Sequence, residues 1–166
     1  MKDIATRLQN NKNQWLASQV EGGYPTKESL KGRDLYLEAQ SSCHLEPLEA
    51  SHESASDIEW HLVDFHRLTI MFSILQSKRW ANEKDQQLIV EFLTQIIVEP
   101  AQSLYLGFLK GDPIAAAMLC QEGETTLISD ITCDNETCLI DSDLLAASLI
   151  QSVGIATNSQ IWLEKR

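Results

Sequence analysis

Apolar residues recur along this chain at two different spacings, and the change between them divides it. Ile4, Leu8, Trp15, Leu16 and Val20 fall on one helical stripe that stops at Gly22 and Gly23. Tyr24-Pro25-Thr26 reads as a turn, with Thr26 placed to cap a second helix that runs to about Gln40 and is weakened by Gly32. Further on, Ile58, Leu62, Phe65, Leu68, Phe72 and Leu75 recur at three and four residues, which predicts one long helix. Asn82 and Asp85 mark the start of another, whose stripe of Leu88, Ile89, Phe92, Leu93, Ile96 and Ile97 lasts until Pro100.

The pattern then takes on the character of strands. Leu104 to Leu109 leads into Lys110-Gly111-Asp112-Pro113, a hairpin turn, and Ile114 to Cys120 returns. Glu122-Gly123-Glu124 makes a second turn before Thr125 to Cys133, which completes an antiparallel three-strand meander. Asp141-Ser142-Asp143 supplies an N-cap cluster for a helix carrying Leu144, Leu145, Ala147, Ser148, Leu149 and Val153, stopped at Gly154, and Gln160 to Leu163 forms a last strand. Between the two halves, Ser41 to Asp57 holds five serines, Pro47 and the acids Glu46, Glu49, Glu53 and Asp57, and reads as a mobile linker. The expected organisation is a helical N-terminal segment over 1–57 and an α/β core over 58–166, packed as one compact domain.

Composition narrows the function classes. With 166 residues, 43% of them apolar, the chain can bury a real core, and no run approaches the length of a membrane span. A net charge of −11 repels phosphate backbones and anionic lipid, so neither nucleic acid nor membrane is an expected partner. The opening residues lack the apolar run of a signal peptide, and Cys43, Cys120, Cys133 and Cys138 form no CxxC pair. A soluble, cytoplasmic protein with reduced thiols is the expectation.

The order of helices, meander, helix and strand, with the wording Tyr105-Leu106-Gly107-Phe108-Leu109-Lys110-Gly111-Asp112-Pro113-Ile114-Ala115-Ala116-Ala117-Met118-Leu119, resembles the central part of the GCN5-related N-acetyltransferase (GNAT) superfamily over about residues 58–164. The resemblance implies an α/β fold with a GNAT-like mixed sheet, an antiparallel meander plus a strand after a crossover helix, here preceded by extra helices and shortened at the C-terminus. It implies an acetyl-CoA site where the third meander strand meets the following helix, with Ile131, Cys133, Leu139, Ser142 and Asp143 as the cofactor-binding positions, and Asp130 as the general base. No counterpart of the family's general-acid Tyr is expected, and the edge left by the last strand calls for cover by the N-terminal helices or a second subunit. A homodimer or a protein partner at that edge follows.

Charge disagrees with the cofactor. Between Lys110 and Lys165 there is no Lys or Arg but there are nine acids. Aligning the family's glycine-rich loop puts Cys138 at its Arg/Gln position and Asp141 and Asp143 at its glycine positions. An Asp at a helix start accepts the free N–H groups itself. A like-charge contact at 4 Å and an effective dielectric near 20 costs on the order of 4 kcal/mol. Lys78, Arg79 and Lys84 are the nearest basic residues that could offset it. The expectation is therefore a degenerate acetyltransferase-like domain without productive acetyl-CoA binding, acting as a binding, regulatory or self-associating module. The alternative is an active N-acetyltransferase with an atypical cofactor loop that acts on a cationic amine.

Two other groupings carry less. Glu59, His61, Asp64 and His66 crowd one stretch, but on a helix His61 and His66 turn about 140° apart, and no metal site is expected. Cys133 lies among acids, which disfavour a thiolate, so no nucleophile is assigned there.

Overall fold

A computed structural model describes residues 2–48, 57–134, 141–156 and 159–166. The elements are α1 (Lys2–Ser18), α2 (Lys27–Gln40), β1 (His44–Pro47), β2 (Glu59–Leu62), α3 (His66–Ser77), α4 (Glu83–Leu93), β3 (Ser103–Leu109), β4 (Asp112–Glu122), β5 (Thr125–Cys133), α5 (Ser142–Val153) and β6 (Gln160–Lys165). Caps set several boundaries as the sequence predicts. Thr26 Oγ1 accepts from Ser29 N, Asn82 Oδ1 from Lys84 N, and Asp141 Oδ1 from Asp143 N, while Gly154 closes α5 in the left-handed region (φ 81°).

The six strands form one mixed sheet in the order β1-β6-β5-β4-β3-β2. β2 to β5 are antiparallel neighbours, and α5 carries the chain from β5 to β6, which lies parallel to it. Lys110 and Gly111 both have positive φ, the two-residue hairpin loop whose twist matches its strands. Helices cover both faces. Phe72, Leu75, Ile89 and Phe92 from α3 and α4, with Leu16 and Tyr36, pack against Leu104, Leu106, Ala116 and Met118. On the other face Leu145, Ala146 and Leu149 of α5 meet Ala115, Ala117, Ile128 and Leu163.

Three expectations change. The long helix from Ile58 is instead strand β2 followed by α3: Ile58 and Trp60 are buried while Glu59 and His61 are exposed, a period of two, and Phe65 enters α3 from extended backbone. Gly107 makes that strand fit, because a Cβ there would stand 3.2 Å from the Trp60 ring and 2.9 Å from Ile58 Cγ2. The linker contains β1, which pairs antiparallel with β6 from His44↔Lys165 to Pro47↔Trp162 and so covers the β6 edge from within the chain; residues 49–56 lie outside the described residues. The stripe after Leu93 leaves the helix at Thr94. No helix among the described residues is long and apolar enough to cross a membrane.

Candidate functional site

β5 and β6 pair only from Thr125↔Gln160 to Ile128↔Leu163, and past that point both strands continue. There the β4–β5 register slips by one residue, from Met118↔Ser129 to Ala116↔Thr132, and Asp130 takes a left-handed conformation (φ 53°). Such a backbone costs a non-glycine residue about 1 kcal/mol or more. Asp130 is held in it by a hydrogen bond from Gln76 Nε2 to its carbonyl oxygen and by donors to its carboxylate.

Those donors come from α1, α2 and the turn after α3. Lys12 Nζ lies 2.8 Å from Asp130 Oδ2, 3.0 Å from Glu164 Oε2, 2.9 Å from the Tyr36 hydroxyl and 3.2 Å from Gln40 Oε1. Tyr36 donates its hydroxyl to Asp130 Oδ1 at 2.7 Å, and Arg79 Nη2 donates to the same oxygen at 3.1 Å. Lys12 is 0% exposed, Asp130 2% and Glu164 5%. Two cations and two carboxylates thus neutralise one another, and removing Lys12, which both carboxylates share, leaves Glu164 buried without a cation.

Burial alone would raise the Asp130 pKa, but the charges of Lys12 and Arg79 and the hydrogen bonds of Lys12 and Tyr36 outweigh it and hold the carboxyl well below the usual range. For Lys12, burial pulls the pKa down and Asp130 and Glu164 more than restore it, so the ammonium keeps its proton. Tyr36 is pushed well above the usual phenol range, first by burial and then by the two carboxylates. At neutral pH the cluster therefore holds an ionised Asp130, an ammonium and a neutral phenol.

Beside this cluster lies a cavity of about 200 Å³ lined by Cys43, Arg79, Ile131, Ser142, Glu164, Lys165 and Arg166. The Arg79 and Arg166 guanidiniums both approach the Trp80 ring, at 5.4 and 4.4 Å from its centroid. Burial lowers the Arg166 pKa, and the neighbouring Arg79 charge lowers it further. Asp143, at the start of α5, pairs with Lys165 (2.9 Å), which also holds Glu46 (3.0 Å). One of the two acids read as facing the cofactor is thereby neutralised, while Asp141 accepts the Asp143 N–H as its cap (3.1 Å).

Of the cofactor positions implied by sequence, Ile131 and Ser142 share the cavity and Asp143 adjoins it through Lys165. Cys133 ends β5 and is disulfide-bonded, which corrects the expectation of reduced thiols throughout; Cys43 and Cys120 are free. Leu139 and Cys138 lie outside the described residues. Of the three basic residues considered, Arg79 lines the cavity and Lys78 pairs with Asp134 at 3.0 Å, while Lys84 sits in the first turn of α4. Lys12, Tyr36 and Glu164 were not anticipated. The signal was present for Lys12, which continues the spacing of Ala5, Leu8 and Leu16 on the buried side of α1. Among the described residues no three His, Cys, Asp or Glu side chains gather as metal ligands.

A meander of β3, β4 and β5 that crosses through α5 to a parallel β6 is the arrangement that the sequence resemblance implies. The fold is GNAT-like. Among solved structures, the chain is similar to a functionally unknown conserved protein from Staphylococcus epidermidis ATCC 12228, at 12% identity and a TM-score of 0.54, over 79% of this chain and 55% of that one. It also matches a GCN5-related N-acetyltransferase from Kribbella flavida at 14% identity and a TM-score of 0.45, over 79% and 53%. The chain spans about half the length of these structures, and at such identities the likeness is one of fold. No protein-family model matches the chain, and no curated protein does.

Proposed function

We propose that this chain is an acetyltransferase-like domain that works as a binding or regulatory module, without productive acetyl-CoA binding. The observation that carries the reading is the buried Lys12–Asp130–Glu164 cluster. A general base needs a pKa near the working pH and access to the proton it removes. Asp130 is buried, ionised and engaged by Lys12, Tyr36 and Arg79, a structural arrangement rather than a basic one. The α5 terminus adds support, since Asp141 uses its own carboxylate where an anionic ligand would accept N–H groups.

A partner or self-association belongs to the same proposal, although its support does not come from the β6 edge, which β1 already covers. Free Cys43 and Cys120 support a cytoplasmic setting, while the disulfide at Cys133 argues the other way.

One observation favours the second reading, an active N-acetyltransferase with an atypical cofactor loop. Arg79, Lys165 and Arg166 surround the cavity, and Lys165 offsets Asp143, so the anion site is less repulsive than the sequence suggests. Calorimetric titration with acetyl-CoA up to millimolar concentration, at low and moderate salt, separates the two. No heat at either salt is the expected result. Micromolar binding, followed by acetylation of a polyamine or lysine peptide, would establish the transferase instead.

A further inference from the structure

At the opposite edge of the sheet lies β2, open among the described residues. Among the described residues β2 pairs only with β3, and the Val63 N–H bond to Leu104 O (2.8 Å) sets the phase of that ladder. With it, Glu59, His61 and Val63 turn their backbone groups toward β3, and Trp60 and Leu62 turn theirs outward. Unpaired strand groups of this kind are a template for another strand. Beside them is a cavity of about 510 Å³ whose lining includes Glu59, His61, Leu62, Asp64, Phe65 and Phe108. Leu62 and Phe65 are 48% and 53% exposed, and the His61 ring stands edge-on to Phe108 at 5.3 Å.

We propose that the β2 edge binds an extended peptide segment carrying a basic side chain, which adds to the sheet outside β2 and places that side chain beside Glu59 and Asp64. Backbone bonding to Trp60 and Leu62 supplies the pairing, and the alternate side chains of the segment reach the cavity. Charge complementarity selects the occupant. Among the described residues the lining has two carboxylates and neither Lys nor Arg, although Arg67 and Lys110 lie close in sequence. The net charge of −11 also disfavours a second copy at this edge. The inference goes beyond the proposed function and would hold whether or not acetyl-CoA binds.

The test is fluorescence anisotropy of the full chain with a labelled hexapeptide of alternating Lys and Val at low salt. Saturable binding is expected, weakened at least tenfold by Glu59→Lys. Leu62→Pro should weaken it to a similar degree, because it removes an outward N–H while leaving the ladder to β3 intact. A peptide methylated on every amide nitrogen should fail to bind, and a Glu/Val hexapeptide should bind only the Glu59→Lys protein. Should Leu62→Pro unfold, the charge reversal and the methylated peptide still decide. Equal binding of the methylated peptide, no binding of the Lys/Val peptide at millimolar concentration, or a wild-type dimer in sedimentation that Leu62→Pro dissociates would each overturn the proposal, the last by assigning the edge to a second copy.

Discussion

At one side of the sheet β1 pairs with β6, and Asp130 and Glu164 meet Lys12 and Arg79 in the interior; at the other, β2 leaves its outer backbone groups unpaired among the described residues and keeps Leu62 and Phe65 half exposed. Both sides are rich in acids. They differ in what the N-terminal elements bring: α1 and β1 deliver a cation and a strand to the β5–β6 side. The β6 edge is paired from within the chain, while among the described residues the β2 edge keeps its outer backbone groups without a strand partner.

The largest effect should come from breaking the closed side. Lys12→Met leaves Asp130 and Glu164 buried without their shared cation and is expected to cost about 3 to 5 kcal/mol, read from the denaturant midpoint. Adding Asp130→Asn and Glu164→Gln to that variant should recover a large part of the loss, because no buried carboxylate then lacks a partner. If the triple variant is no more stable than Lys12→Met, the cluster does not act through charge. None of the three changes should alter peptide binding at β2.

Acid should act on the same side next. The Asp130 pKa is depressed in the folded state, so its contribution is fully present above the unfolded value, about 3.9, and is lost as pH falls from there through the folded value. Melting temperature should therefore stay level from neutral pH to about 5 as far as this group is concerned, then fall. Asp130→Asn should flatten that acid limb while lowering the plateau. A wild-type acid limb unchanged by the substitution would place the sensitivity elsewhere. Lys12 works in the opposite direction: its raised pKa keeps its contribution intact below about 10.4 and loses it as pH rises through the folded value.

How much of this the sequence reveals depends on the range of the interaction. Helices α1, α2, α4 and α5 and the two tight turns rest on local signals, namely Thr26, Asn82 and Asp141 as caps and Gly111 and Gly123 at positive φ, and these are legible. Strands β1 and β2 are each four residues long and exist because of partners far away in sequence, β6 and β3, so the helical spacing of Ile58, Leu62 and Phe65 misleads. Asp130 could be singled out by position, but its environment depends on Lys12 and Tyr36, more than ninety residues earlier. A lysine inside an apolar stripe was the readable clue to a buried anion.

Gly32 illustrates the same limit at a single residue. Local propensity marks it as a weak point of α2, yet in the fold it is where α2 lies against α4: a Cβ there would overlap the Leu88 carbonyl oxygen and stand 2.7 Å from Phe92 Cβ. Gly32→Ala should gain about 1 kcal/mol of helix propensity and lose more by forcing the helices apart, overpacking of this kind costing about 1 to 3 kcal/mol or more. A lowered melting temperature checks it. A raised one would mean that α2 and α4 separate freely.

The smallest change bears most directly on the comparison. Asp141→Ala removes the α5 cap and should cost about 1 kcal/mol, with Asp141→Gly costing only a few tenths, measurable as small shifts in the denaturant midpoint. Its ligand consequence is the sharper readout. Pairing Asp141→Gly with Asp143→Gly frees N–H groups at the helix start and releases Lys165 from one of its two acids, so under the proposed reading acetyl-CoA binding should emerge in calorimetry where the wild type gives no heat. Under the transferase reading the wild type already binds, and the pair changes little or weakens it. Emergent binding with no acetylation of an amine would leave Asp130, still held by Lys12, as the reason that the cofactor alone does not restore catalysis.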